Sequence, residues 1–352
     1  MIALDDPAAL AAADASGMLG TVAAFPSHVR EAYAVGRAAE HLPALADVTS
    51  MVTCGMGGSA VAGDVLKQAF RAELDLPVDV VRGPLLPAFA GARTLVVVSS
   101  YSGNTSETLS AFHQALERDC RIVAVTGGGA LGAACAERGI AVVPLPAGFQ
   151  PRAALGWLTF AMLGALEAAG LIASVEAQVE EVDSTLSAIA AELGPGVPTA
   201  QNEAKAIAEW LGERVPVVWG ADGIAALAAM RWKTQLNENG KVPAFHAAMS
   251  ELDHNEVVGW VAPYGERFAV VALRHEGEPE ETAARFPLSA EIAAAAGVAV
   301  REVWARGISP LAQLLSLVIV GDFASCYVGL RRGIDPTPVV AIDRLKAALA
   351  GR

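Results

Sequence analysis

From residue 50 onward the sequence alternates two textures, and no other feature constrains the fold as much. Short, mostly apolar runs rich in Val, Ile and Leu occupy 51–54, 78–81, 95–98, 122–126 and 141–143. Between them lie Ala-rich segments of helical period at 59–71, 106–117 and 130–137, and a long helical run follows Pro151. A strand with one wet face alternates apolar and polar residues. Near-continuous apolar runs separated by helices predict instead a parallel sheet covered on both faces. Residues before about 47 read as helical and are expected to pack outside that unit. A polar stretch at 193–199, with two prolines and two glycines, is the predicted linker. Beyond it the alternation restarts: a strand at 215–219, the turn Gly220-Ala221-Asp222-Gly223, and a helix from Ile224. Strands at 268–273 and 298–303, a helix after Pro310 and a terminal helix from Val339 follow. The expectation is two α/β domains of similar plan, at 1–190 (with the N-terminal helices) and 200–352.

The chain can fill two such cores, since 53% of its 352 residues are apolar and only 18% charged. That composition excludes a disordered protein. With 38 acidic against 25 basic residues the net charge is −13. Such a field repels nucleic acid and anionic membrane, so neither is an expected partner, and any anion site must be built locally. The four cysteines are scattered, without a C-x-x-C pair, and read as buried thiols in a reducing compartment. The N-terminus lacks a basic n-region and a signal-type apolar core. Segments 153–172 and 311–330 reach membrane-spanning length, but Glu167 and Asp322 interrupt them, and a charge at mid-span costs a few kcal/mol in lipid. Both are expected to be buried helices, and the protein cytoplasmic.

Two loops carry candidate chemistry. The first strand runs into Gly55-Met56-Gly57-Gly58-Ser59-Ala60 and then a helix. A glycine turn there lets backbone N–H groups approach an anion. As G-x-G-x-x-A it is a relaxed dinucleotide fingerprint, yet Asp79 sits inside the second strand and Arg82-Gly83 occupies its end, where a ribose-binding acid belongs. No P-loop lysine is present, because Asp64 follows Gly63. A plain tight βα turn remains a third reading. The third strand ends in Ser99-Ser100-Tyr101-Ser102-Gly103-Asn104-Thr105-Ser106-Glu107. Ordinary helix capping needs one hydroxyl, and this loop offers several at the carboxyl end of a strand, where open α/β sheets bind ligands. Neutral hydroxyls with helix N–H groups suit a phosphate monoester.

Gly57-Gly58-Ser59 and Ser100-Tyr101-Ser102-Gly103-Asn104-Thr105 resemble the two phosphate loops of sugar isomerase (SIS) domains. Gln150-Pro151-Arg152-Ala153 resembles a segment of the bifunctional phosphoglucose/phosphomannose isomerase family. So do Asn237-Glu238-Asn239-Gly240-Lys241-Val242-Pro243, Glu251-Leu252-Asp253-His254-Asn255-Glu256, and Asp335-Pro336 with Ile342-Asp343-x-Leu345-Lys346. The resemblance spans roughly 50–350. It implies two SIS-type domains, each a flavodoxin-like three-layer parallel sheet flanked by helices, with a sugar phosphate in the cleft between them. It implies a metal-independent isomerase without cofactors that interconverts glucose 6-phosphate, mannose 6-phosphate or both with fructose 6-phosphate. Alternatives are a non-catalytic sugar-phosphate-binding regulator and an isomerase of another sugar phosphate.

Taken alone, Glu238 reads as a solvated residue at a helix end, and His254 as an unremarkable loop histidine. Aldose–ketose isomerisation needs a base moving a proton between C1 and C2 and a second group to open the ring, tasks suited to a carboxylate and an imidazole. The resemblance assigns Glu238 as that base, passing through a cis-enediolate, and His254 to ring opening. It places Lys346 at the ring oxygen and Arg152 beside the developing enediolate charge. Gly57, Gly58, Ser59, Ser100, Ser102 and Thr105 would hold the phosphate. It also implies a homodimer in which His254 enters the neighbour's site. A family threonine near the C-terminal lysine, which makes room for both C2 epimers, is Val339 here, with Thr337 the nearest hydroxyl. Epimer preference is therefore open. His246 and His254 lack a third ligand at a recognisable spacing, so no metal site is expected.

Overall fold

A computed structural model describes residues 1–261 and 263–350. The chain divides into two units. One comprises Ala24–Ser187 and Arg306–Ser316; the other comprises Met1–Ala23, Ala188–Ala305 and Leu317–Arg352. Helices α1 (Pro7–Ala13) and α2 (Met18–Ala23) therefore group with the second sheet, and only α3 (Phe25–Arg37) groups with the first. Local pattern could not show this, because the ties are to distant residues. Ile2 N–H donates to the Arg331 carbonyl at 2.8 Å, and Asp5 accepts from the Thr199 N–H and hydroxyl at 2.7 and 2.8 Å.

The first sheet contains β1 (Ser50–Cys54), β2 (Val78–Val81), β3 (Thr94–Ser100), β4 (Arg121–Thr126) and β5 (Ala141–Pro144). All are parallel, in the order β2-β1-β3-β4-β5. Helices α4 (Gly58–Ala69), α5 (Ser106–Glu117) and α6 (Gly129–Arg138) connect them. Strands β1 and β3 are buried throughout, as their unbroken apolar runs require. Helix α7 (Leu155–Ala168) follows, and almost every side chain on it is buried. Its Glu167 is satisfied by the Tyr33 hydroxyl at 2.5 Å, the Val175 N–H at 3.0 Å and Arg37 at 3.5 Å. The helix is a core element, as expected of 153–172.

Helix α8 (Glu176–Leu193) leads to the Pro/Gly stretch, which is pinned within the second unit rather than being a free linker. Lys205 Nζ donates to the carbonyls of Pro195 (2.9 Å) and Val197 (2.8 Å), Asn202 to Gly194 (3.1 Å), and the Tyr327 hydroxyl to Leu193 (2.7 Å). Its composition is that of a loop, but its carbonyls are the acceptors that satisfy a buried ammonium. After α9 (Glu203–Leu211) come β6 (Val215–Gly220), α10 (Ile224–Glu238), β7 (Phe245–Ala248), α11 (Met249–Leu252), β8 (Phe268–Arg274), α12 (Glu280–Ala295) and β9 (Ala299–Trp304). The sheet is parallel, in the order β7-β6-β8-β9. β7 lies in a segment whose sequence reads as a loop. Phe-His-Ala-Ala has no β-branched residue, and its strand geometry comes from pairing with β6, Val217 opposite Phe245. Helix α13 (Pro310–Arg331) is long and apolar enough to cross a membrane, yet its apolar window is wholly buried. Its Asp322 meets Arg231 of α10 in a buried bidentate pair at 2.6 and 3.1 Å. Helix α14 (Val340–Ala350) ends the described chain, and its side chains through Leu349 are exposed.

Candidate active site

In the order β2-β1-β3-β4-β5 the chain leaves β1 toward one edge and β3 toward the other. The loops at their carboxyl ends diverge, and a crevice opens between them. The two candidate phosphate loops are those loops. Ser100 Oγ accepts from the Gly103 N–H at 3.1 Å and lies 3.2 Å from Thr105 Oγ1. Ser59 Oγ accepts from the Tyr101 N–H at 3.4 Å, which joins the two loops, and Ser102 Oγ accepts from the Asn104 N–H at 3.3 Å. Thr105 occupies the N-cap of α5 with extended backbone, but its hydroxyl makes no capping bond, and Gly57 at the N-cap of α4 has no side chain to offer. The simple capping explanation of this hydroxyl cluster therefore fails. Two glycines are sterically required. A Cβ on Gly58 would lie 2.7 Å from the Pro151 carbonyl oxygen; on Gly103, whose φ is +68°, it would lie 1.8 Å from that of Gly128.

The Gly58 contact lays the turn carrying Arg152 against the start of α4, and Arg152 is buried there. Tyr101 helps hold that turn: its hydroxyl donates to the Pro146 carbonyl and accepts from the Phe149 N–H, each at 2.8 Å. Asn104 Oδ1 accepts from the Ala130 N–H at 3.0 Å, capping the next helix. Neither role was read from sequence. The only available signal was a lone phenol and a lone amide in a loop of glycines and serines.

In the second unit Glu238 is the last residue of α10 and is half-buried. It lines a cavity of about 580 Å³ with Asn237, Lys241, Asp335, Val339 and Ile342. Its neighbours fix the main chain around it. Asn237 Nδ2 donates to the Val242 carbonyl at 2.8 Å, and the fully buried Asn239 donates to Ser325 Oγ at 3.0 Å. Glu238 is thus half-buried rather than fully exposed.

His254 is exposed on the turn after α11, and the residues around it are anchored. Asp253 accepts from Ser289 Oγ (2.7 Å) and Arg285 (3.2 Å), Asn255 donates to Glu251 (2.9 Å), and Glu256 accepts from the Trp219 indole at 2.8 Å. Burial pushes the Glu256 carboxyl above its ordinary pKa, and the indole hydrogen bond opposes this. Neither His254 nor Lys346, which is exposed on α14, lines the Glu238 cavity. Within its unit Glu238 is thus the one predicted catalytic residue on that wall. Among the described residues no cluster of three or more His, Cys, Asp and Glu side chains is placed to hold a metal ion.

The second sheet has its own switch point, between β6 and β8, and the end of β8 carries an ion-pair cluster directed toward β9. Arg274, at the end of β8, binds Glu278 at 2.8 and 2.9 Å and Glu302 at 2.6 Å. Its guanidinium lies 4.1 Å from the Phe286 ring centroid and 4.7 Å from that of Trp304.

Two parallel sheets, one with a hydroxyl-lined crevice at its switch point, define a phosphosugar-isomerase-type SIS fold. Residues 200–349 match the family described as bacterial phospho-glucose isomerase C-terminal SIS domain. A glucose-6-phosphate isomerase-like protein from Thermus thermophilus has the same fold, with a TM-score of 0.64 at 20% identity, covering 98% of this chain and 99% of that one. The chain belongs to the bifunctional phosphoglucose/phosphomannose isomerase family. It is 36% identical over 335 residues, 95% of this chain and 99% of the relative, to the bifunctional phosphoglucose/phosphomannose isomerase of Caldicellulosiruptor bescii. It is 32% identical over 303 residues, 86% and 90% of the two chains, to the protein of that name from Thermoplasma acidophilum.

Proposed function

We propose that the protein is an aldose–ketose isomerase that interconverts glucose 6-phosphate and mannose 6-phosphate with fructose 6-phosphate. The observation that carries this reading is Glu238, flanked by two hydrogen-bonded asparagines, on the wall of a cavity otherwise mostly apolar. A base in such a site can take the proton from C2 of the open-chain aldose and return it to C1 through a cis-enediolate. Ser59, Ser100, Ser102 and Thr105, with the main chain at Gly57 and Gly58, hold the phosphate by neutral hydrogen bonds, which suits a chain of charge −13 that offers no long-range attraction to an anion. Arg152 stabilises the enediolate oxygen, and Lys346 acts at the ring oxygen. The route consists of proton transfers alone, so activity is expected to survive a chelator. The four free thiols, with Cys54 pushed by burial to about 12 and Cys135 to about 11, support a cytoplasmic setting.

His254 opens the ring, and we assign it to the active site of a second copy in a symmetric homodimer. Its exposure away from the Glu238 cavity of its own chain supports this. Coupled assays with glucose 6-phosphate and mannose 6-phosphate, each with and without chelator, test the activity; turnover of neither sugar refutes it. The dimer is tested by mixing Glu238→Gln and His254→Ala proteins under verified subunit exchange. About half of randomly paired dimers are mixed, and half of their sites are intact, so roughly a quarter of wild-type activity returns. Background activity would place His254 in its own chain's site.

A further inference from the structure

The last four carbonyls of an α-helix have no partner within the helix, and a cation near them is favoured by hydrogen bonding and by the helix dipole. Helix α10 has no basic residue in its last turn. The cation comes from Lys241, three residues beyond, and the chain turns to deliver it. Lys241 has φ of +53°, a left-handed conformation that is uncommon for a non-glycine residue. From there its ammonium donates to the main-chain carbonyl of Glu238 and, at 2.8 Å, to that of Pro336. Pro336 belongs to the segment 334–342 that forms the facing wall of the Glu238 cavity. The same turn is held from outside by Arg332, which donates to the carbonyls of Gly240 and Lys241, each at 3.2 Å. The facing wall has a second tie: Asp335 accepts from the Ser16 hydroxyl at 2.7 Å and from the Thr337 N–H at 2.9 Å.

We propose that Lys241 is a positioning residue for the isomerisation step, bridging the helix end that carries Glu238 to the cavity wall opposite and so setting the reach of the carboxylate. This rests on the reading of Glu238 as the base. The geometry favours positioning over substrate contact, because the ammonium is engaged by backbone carbonyls on both sides. A strained residue that serves only as a helix stop is most simply a glycine or asparagine. A lysine at that φ is explained by what its side chain reaches.

Lys241→Gly is the informative variant, since glycine adopts the left-handed conformation freely, so the turn is kept while the side-chain bridge is removed. Its melting temperature is expected to stay at or above that of the wild type. The kcat for glucose 6-phosphate is expected to fall roughly 10- to 100-fold, the scale of a misplaced catalytic group, with KM within about twofold. With glucose 6-phosphate deuterated at C2, the primary isotope effect on kcat should rise, because proton transfer becomes more fully rate-limiting. A purely structural lysine would lower stability without moving the isotope effect. Lys241→Asn, which also tolerates the conformation but cannot span both carbonyls, should behave like the glycine variant. Turnover within about fivefold of wild type in both variants overturns the proposal, as does a loss carried wholly by KM with an unchanged isotope effect. Glu238→Gln is measured in parallel. If it keeps near-normal turnover, the base assignment itself falls. If it is inactive while the Lys241 variants are normal, only the positioning role falls.

Discussion

The two sheets have the same parallel plan and differ in what the ends of their central strands carry. In the first, the ends of β1 and β3 carry hydroxyls, glycines and helix starts that no side chain caps. In the second, the end of β8 carries Arg274, enclosed by Glu278, Glu302 and two aromatic rings. One guanidinium with two carboxylates is a net negative cluster, which repels an anion, whereas neutral hydroxyls and helix N–H groups do not. A fold supplies the location of a possible site, and a handful of side chains decides whether the location is open. In the second unit the candidate chemistry sits instead at the carboxyl end of α10, where two asparagine contacts hold the main chain and leave Glu238 on a cavity wall.

The largest expected effect separates binding from chemistry. Glu238→Gln should lower kcat by roughly 10²–10⁴-fold, the scale of general base catalysis, while KM changes little because the phosphate loops are intact. Steady-state kinetics check it, and near-normal kcat would return the chemistry to the first unit. Next is the Arg274 cluster. Arg274→Met should destabilise the protein by about 3–5 kcal/mol, since removing one partner leaves the buried Glu278 carboxylate uncompensated. Urea unfolding measures it. An unchanged midpoint would mean that the Arg274 cluster contributes nothing to the fold, and the contrast between the sheets would lose its physical meaning.

A smaller change is expected in the phosphate-loop candidates of the first sheet. Ser100→Ala or Thr105→Ala should weaken phosphate affinity by roughly tenfold each, about the worth of one hydrogen bond to a charged group, with kcat far less affected. Isothermal titration with fructose 6-phosphate reads this directly. A bound phosphate at Gly220–Gly223 instead would reverse the comparison. The smallest expected effect is on pH dependence. His28 is buried against Phe149, 4.8 Å between ring centroids, and its Nδ1 has no hydrogen-bond partner among the described residues. Burial holds its imidazole below the ordinary value of 6.5. A depressed folded-state value gives stability that is present above the unfolded value and lost as pH falls below it, because the unfolded chain takes up the proton first. Melting temperature should therefore decline from pH 7 toward pH 5, and less steeply in His28→Phe. Equal slopes in the two proteins would remove His28 from the account.

Much of the fold was legible along the chain. The helix at Ser106–Glu117 and the start of α10 at Ile224 agree to the residue with their periodicity, and each strand of the first sheet lies within two residues of its apolar run. The glycines of the two loops were legible as loop residues, though only the contacts of Gly58 with Pro151 and of Gly103 with Gly128 explain why they cannot be anything else. Glu238 illustrates the other side. Its sequence neighbours are polar and its position is a helix end, both marks of a solvated residue. It lies half-buried on the wall of a cavity that it shares with the segment 334–342, nearly a hundred residues away.

The sequence by itself determined which segments become strands and which become helices. Those preferences are set by side-chain period and backbone sterics within a few residues, and they need no partner to be expressed. Only the tertiary structure decided the strand order that opens one crevice, the clamp that turns a Pro/Gly stretch into a ligand for Lys205, and the edge strand β7. It also decided that residues 1–23 group with the second sheet, and that Lys241 spans from a helix end to a distant wall. Each of these satisfies a buried polar or apolar group with a partner far away in the chain, and the energy that selects such a partner exists only once both surfaces have left water.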